Sequence, residues 1–191
     1  MSIAPQSPTS KPRLNVHYLA PGFSLIPPET VDEYRRNKSN LIFSHGVTIV
    51  KISLEVVVKI GAHVNFNEAR NMIYIAQNTG IPVPKALACY TYGPIDRDPG
   101  DHGGLYDTYI FTSLTDGNTL DTAWDNYEVA TKTHISTQLT GYIQEMRDLA
   151  CDGYIGSVDH GPVANHYLST SLDKGPFKSE EDFKKERQNV T

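Results

Sequence analysis

The sequence predicts an α+β protein: a five-stranded antiparallel sheet carrying one helix, followed by a helical region. Three observations predict it. Three short β-branched runs, LIF, VTIVKIS and EVVVKI, follow one another between residues 41 and 60. Ala69, Met72, Ile73 and Ala76 then recur at i, i+3, i+4 and i+7, one apolar helical stripe. After Asp116-Gly117 the strand signals stop and long helical periodicity takes over.

Each element follows from local chemistry. The opening MSIAPQSPTSKPRLN is rich in Pro, Ser and Thr, and residues 1–26 read as a disordered leader. Pro27-Pro28-Glu29 opens a short polar helix over TVDEYRRNK, because proline is tolerated in a first turn and acids suit it. His45-Gly46 and Ser53-Leu54 separate the three β-branched runs and make them an antiparallel meander. Along the third run Val56, Val58 and Ile60 face one way, and Val57 and Lys59 the other.

Asn65 caps the next helix, with Glu68 three residues on as in a capping box, and Asn78-Thr79-Gly80 stops it. IPVPKALACYTY and LYDTYIFTSL form a hairpin across the polar, glycine-rich GPIDRDPGDHGG. Beyond the boundary, Asn118 to Trp124 reads as a short helix. Val129 to Leu149 reads as a long one, with Ile135, Leu139, Tyr142, Ile143, Met146 and Leu149 at helical spacing. SEEDFKKERQNV is a capped, weakly apolar helix.

Composition narrows the function classes. A net charge of −5 argues against nucleic acid held by electrostatics. No apolar run approaches transmembrane length, and the start lacks a signal-peptide core. Cys89 and Cys151 form no CxxC and stand apart from metal-spaced histidines, so they read as reduced thiols of a cytoplasmic protein. In that setting the acceptor patterns at Asn37 and Asn189 are chance matches. Asp96, Asp98 and Asp101 belong to a turn-rich tip that favours aspartate, and read as solvated. His160 and His166 lack the carboxylate or cysteine that would complete a metal set.

The most informative residue is Lys59. A charge on a half-buried strand needs a partner, and Glu68 waits nine residues later on the helix. By pattern alone the pair reads as a strand–helix salt bridge or as half of a nucleotide site.

VVVKIG (56–61), NEARNMIYIA (67–76), IPVPKALACY (81–90) and YIFTSLTDGNTLDTAW (109–124) together resemble the aminoglycoside phosphotransferase family, in its divergent fungal form. QLTGYIQEMRDL (138–149), YIGSVDHGP (154–162) and GPFKSEEDF (175–183) continue the resemblance in the same order. It covers nearly everything after about residue 40. The resemblance implies a protein-kinase-like N-lobe over 27–116, with 117–191 starting a helical C-lobe that stops before the catalytic loop.

It further implies that Lys59 contacts ATP phosphates, that Glu68 positions Lys59, and that backbone groups of Thr112, Ser113 and Leu114 meet adenine. Ser113 stands where the family often has an acid. Ser44-His45-Gly46, with one glycine, reads as a hairpin turn rather than a phosphate loop, and no Walker-type motif occurs.

The family's phosphoryl transfer needs a His-x-Asp-x-x-x-x-Asn loop and a further metal-binding aspartate. None of the seven histidines begins a His-x-Asp. ATP is therefore expected to bind weakly, magnesium not to be held, and the chain alone to be an inert relative of enzymes that phosphorylate a small-molecule hydroxyl. Two alternatives stand beside this expectation. One is a pseudokinase-type module that pairs with itself or another protein through the 129–149 helix. The other is a non-phosphoryl enzyme on a recruited kinase-like scaffold.

Overall fold

The computed structural model describes residues 10–97, 104–150, 153–163 and 174–188. The chain divides into two compact units, Met1–Met72 with Pro84–Asp116, and Ile73–Val83 with Gly117–Thr191.

The first unit is built on a six-stranded sheet in which every neighbouring pair is antiparallel. Its strands are β1 (Arg13–Leu19), β2 (Leu41–His45), β3 (Val47–Lys51), β4 (Val56–Gly61), β5 (Ala86–Gly93) and β6 (Asp107–Ser113). Across the sheet the order is β1-β5-β6-β4-β3-β2. The meander β2-β3-β4 matches the three β-branched runs. Gly46 reverses the chain between β2 and β3 with φ +71°, a left-handed conformation that suits glycine.

The sheet has six strands rather than the expected five, because part of the expected leader is structured. Arg13–Leu19 pairs along β5 and covers an edge that would otherwise be open. A bulge between Val16 and Tyr18 explains why simple alternation missed this strand. Val16 pairs with Tyr90 and Tyr18 with Cys89, so the strand changes face partway. Leu14 joins one core and Tyr18 the other. Residues 1–9 of the expected leader lie outside the described residues, as do Asp98, Asp101, Cys151, His166 and Asn189.

Both faces of the sheet are covered, which fits the apolar runs of its central strands. On one face Val50, Val58, Ile60, Ala88, Tyr90, Tyr109 and Phe111 pack with Val31 of α1 (Pro28–Arg36) and with Phe23, Leu25 and Ile26 before it. Tyr90 stacks on Tyr109 at 4.7 Å and donates its hydroxyl to the Ile26 carbonyl at 2.9 Å. A smaller core on the opposite face joins Cys89 and Ile110 to Val64 and to Ala69 and Met72 of α2 (Asn67–Asn78).

In the second unit α3 (Leu120–Ala123) is short, α4 (Val129–Arg147) is long, and α5 (Glu180–Gln188) is capped by Ser179, whose hydroxyl accepts from the Asp182 N–H at 3.1 Å. Ile155 and Phe177 exchange backbone hydrogen bonds at 2.8 Å, and Phe177 is buried against Phe183. The Gly80 N–H donates to the Glu145 carboxylate of α4. No described residue of α4 is buried.

Phe111 is fully buried between Phe23 and Tyr90. Phe111→Ala is expected to cost about 3–5 kcal/mol, measured as a lower urea midpoint with an unchanged slope.

Candidate functional site

Lys59 lies on β4 opposite Ile49 of β3 and Ile110 of β6, on the sheet face that α2 covers. Its own rung is otherwise apolar, so neither directly paired residue offers the ammonium an acceptor side chain. The start of α2 brings it one. The Asn65 side chain accepts from the Asn67 N–H at 2.9 Å, and its carbonyl accepts from the Glu68 N–H at 2.9 Å. Glu68 is thereby held in the first helical turn, where a carboxylate is favoured by the helix dipole.

The capping pattern predicts that Glu68 reaches back to its own cap. Instead its carboxylate turns to the sheet and accepts from Lys59 Nζ at 2.5 Å. The lysine side chain is 33% exposed and the glutamate 42%. At that exposure, water screens the pair, which contributes about 1 kcal/mol or less to stability. Its value lies in holding a charge at one place rather than in holding the fold.

Four further residues, Cys89, Phe66, Arg70 and His17, cluster around the start of α2. Cys89 is buried beside Ile110, and burial, with the Glu68 carboxylate adding to it, pushes its thiol up to about 11 while Arg70 opposes the shift. The Arg70 guanidinium lies 4.5 Å from the centre of the Phe66 ring, and His17 stacks on that ring at 4.8 Å. The His17 Nε2 lies 3.1 Å from Thr91 Oγ1. Phe66 and Arg70, at i and i+4, carried a legible cation–π signal. Nothing local to His17 pointed to them, because the stack depends on β1 joining the sheet. Asn67 Oδ1 is buried and accepts no hydrogen bond among the described residues.

The expected adenine-binding stretch is differently disposed. Thr112 pairs with Val57 on one side and Ala86 on the other, so its side chain shares the face of Lys59. The Ser113 N–H donates to the Lys85 carbonyl at 2.9 Å, and its hydroxyl accepts from the Lys85 N–H at 2.9 Å. The Leu114 N–H donates to the Glu55 carbonyl at 2.7 Å. Both N–H groups are therefore committed to neighbouring chain segments. Lys59 and Glu68 meet, whereas Ser113 and Leu114 offer no N–H to a ligand unless these bonds break.

Among the described residues, no group of three or more His, Cys, Asp or Glu side chains could hold a metal ion. No described helix is long and apolar enough to cross a membrane. His160 stacks on Tyr154 at 4.1 Å.

Two outcomes follow from the surroundings of the pair. A thiol raised to about 11 is almost wholly protonated near neutrality, so Cys89 is expected to resist a thiol-reactive disulfide reagent until the protein unfolds. The His17 imidazole is held below its ordinary value, first by burial of its ring and then by Arg70. The unfolded chain thus takes up that proton first, and stability falls as pH drops below the ordinary histidine value. Melting scans from pH 7 to pH 5 are expected to show a smaller loss for His17→Gln than for the native sequence.

A scan of protein-family models, a search of curated proteins and a search of solved structures each found no match to this chain.

Proposed function

We propose that this chain is a kinase-like protein related to the aminoglycoside phosphotransferases, that it binds ATP weakly through Lys59, and that these residues alone do not transfer phosphate. The observation that carries this proposal is the Lys59–Glu68 contact at 2.5 Å. It joins a central strand to the helix that follows it, in the roles that the resemblance implies. The all-antiparallel order, with β4 between β3 and β6, also supports it.

Lys59 would supply a fixed positive charge to a phosphate, and Glu68 would keep the ammonium in place. Thr112 contributes to the same sheet face. The committed N–H groups of Ser113 and Leu114 leave adenine weakly held there, which fits low affinity. No His-x-Asp occurs in the 191 residues, so they supply neither the family's base nor its first metal ligand. Removing even one preorganised group costs about 10²–10³ in rate. Phosphorylation of a small-molecule hydroxyl is thus the ancestral reaction in this proposal, not an activity of these residues by themselves. The buried free thiol of Cys89 supports a cytoplasmic setting.

Equilibrium titration with ATP tests this directly. Saturable binding weakened about tenfold by Lys59→Met, or about 1.4 kcal/mol, is the expected result, with no ATP consumed in the presence of magnesium. Absence of saturable binding, or binding indifferent to Lys59→Met, overturns it.

A specific observation also favours association through α4. Leu139, Ile143 and Met146 lie on this helix at i, i+4 and i+7 and are each 45–46% exposed. An apolar stripe left in water is a natural contact for a second copy or another protein. Sedimentation at micromolar concentration is expected to show self-association that Ile143→Glu with Met146→Glu abolishes. A strictly monomeric native chain would rule out the second copy.

A further inference from the structure

The sheet face opposite Lys59 carries a polar recess that the nucleotide proposal does not use. It lies at the end of the sheet marked by the β2–β3 turn, with a volume of about 290 Å³. Four separate parts of the chain build it. Arg35 comes from the last turn of α1, Ser44 and Thr48 from paired positions on β2 and β3, and His63 from just after β4. Arg97 and Asp107 close it from the β5–β6 side. Asp107 is two residues from Tyr109 on β6, so it shares the face of the larger core.

The charges in this recess are organised. Arg97 donates to Asp107 Oδ1 at 2.6 Å and to the Gly104 carbonyl at 2.6 Å, and both side chains of the ion pair are about 15% exposed. The Arg97 guanidinium is thus fixed in the wall, and the Asp107 charge is offset by it. The side chains of Arg35 and His63 make no hydrogen bond or ion pair among the described residues. Among the described residues of its lining, two guanidinium groups stand against one carboxylate, a positive balance on a chain whose net charge is −5. A concave, locally positive site concentrates anions against the overall charge. The Ser44 and Thr48 hydroxyls add neutral donors to the same wall.

We propose that this recess binds a small tetrahedral oxyanion, a phosphate or a phosphate monoester, received by Arg35 and His63 and flanked by the fixed Arg97. Donors arriving from α1, from the β2–β3 hairpin and from the end of β4 surround a centre with several oxygens better than a planar carboxylate with two. The site is independent of Lys59, whose side chain projects from the other face of the sheet.

Titration of the full chain with inorganic phosphate, followed by backbone amide NMR, tests the proposal. Saturable shifts are expected at residues 44–48 and 61–63, with affinity reduced at least tenfold in the double variant Arg35→Gln, His63→Gln. Both residues are exposed, and unchanged melting of the double variant confirms that its fold is intact. The same shifts are expected in Lys59→Met, which separates this site from any nucleotide site. Glycerol phosphate competing for these shifts assigns the recess to a phosphate ester, and phosphate binding without such competition assigns it to the free ion. No saturable shifts at these residues, equal affinity for acetate, or binding unaffected by the double variant each overturn the proposal.

Discussion

A lysine placed on an apolar rung of a sheet covered on both faces requires a carboxylate, and the start of α2 meets that requirement. Ile49 and Ile110 flank Lys59 with no polar atom in their side chains. The residue two before it, Val58's neighbour Val57, is equally apolar. The helix brings the carboxylate that accepts from it. Asn65 fixes where that helix begins, and Glu68 in its first turn then reaches the ammonium. Ala69, next along the chain, is buried against Cys89 and Ile110 by the same placement. The ion pair is too exposed to be a large stabiliser, but it orients a charge that the small core alone would leave undirected.

The two cores differ in what they do. The larger one, closed by α1 and the Phe23–Ile26 segment, holds the aromatic stack of Tyr90, Tyr109 and Phe111 and carries most of the apolar burial. Burial pushes the Tyr90 and Tyr109 phenols well above the ordinary tyrosine value, with nearby negative charge adding to the effect. The smaller core lies against α2 and borders Lys59 and Glu68. The face that secures the sheet is therefore not the one that presents the lysine. A change at the ion pair therefore leaves the principal core intact.

Charge at the two sheet faces follows the same division. Lys59 is answered by one carboxylate from a helix. In the opposite recess Asp107 answers Arg97, while Arg35 and His63 remain available. Strand alternation explains how a chain segment as short as β4 and the residues after it can serve both. Lys59 projects to one face, Ile60 lines the other, and His63 follows once the strand has ended.

Local patterns along the chain set the elements and their faces. The β-branched runs, the alternation through Val58, Lys59 and Ile60, and the stripe through Ala69 and Met72 are local patterns whose period sets the structure. They made β2 to β6, α2 and α4 legible, and they singled out Lys59 and Glu68 as candidates for one another. Tertiary structure decided what depends on partners distant along the chain. The bulge at His17 let β1 join the sheet and divide its side chains between two cores, against the composition of its surroundings. Pairing with Lys85 and Glu55 committed the N–H groups of Ser113 and Leu114, which spacing along one strand cannot register. The recess of Arg35, His63 and Arg97 arises where four segments converge, so no window of sequence contains its pattern. Periodicity reports which way a side chain points, and only the folded chain determines what it meets there.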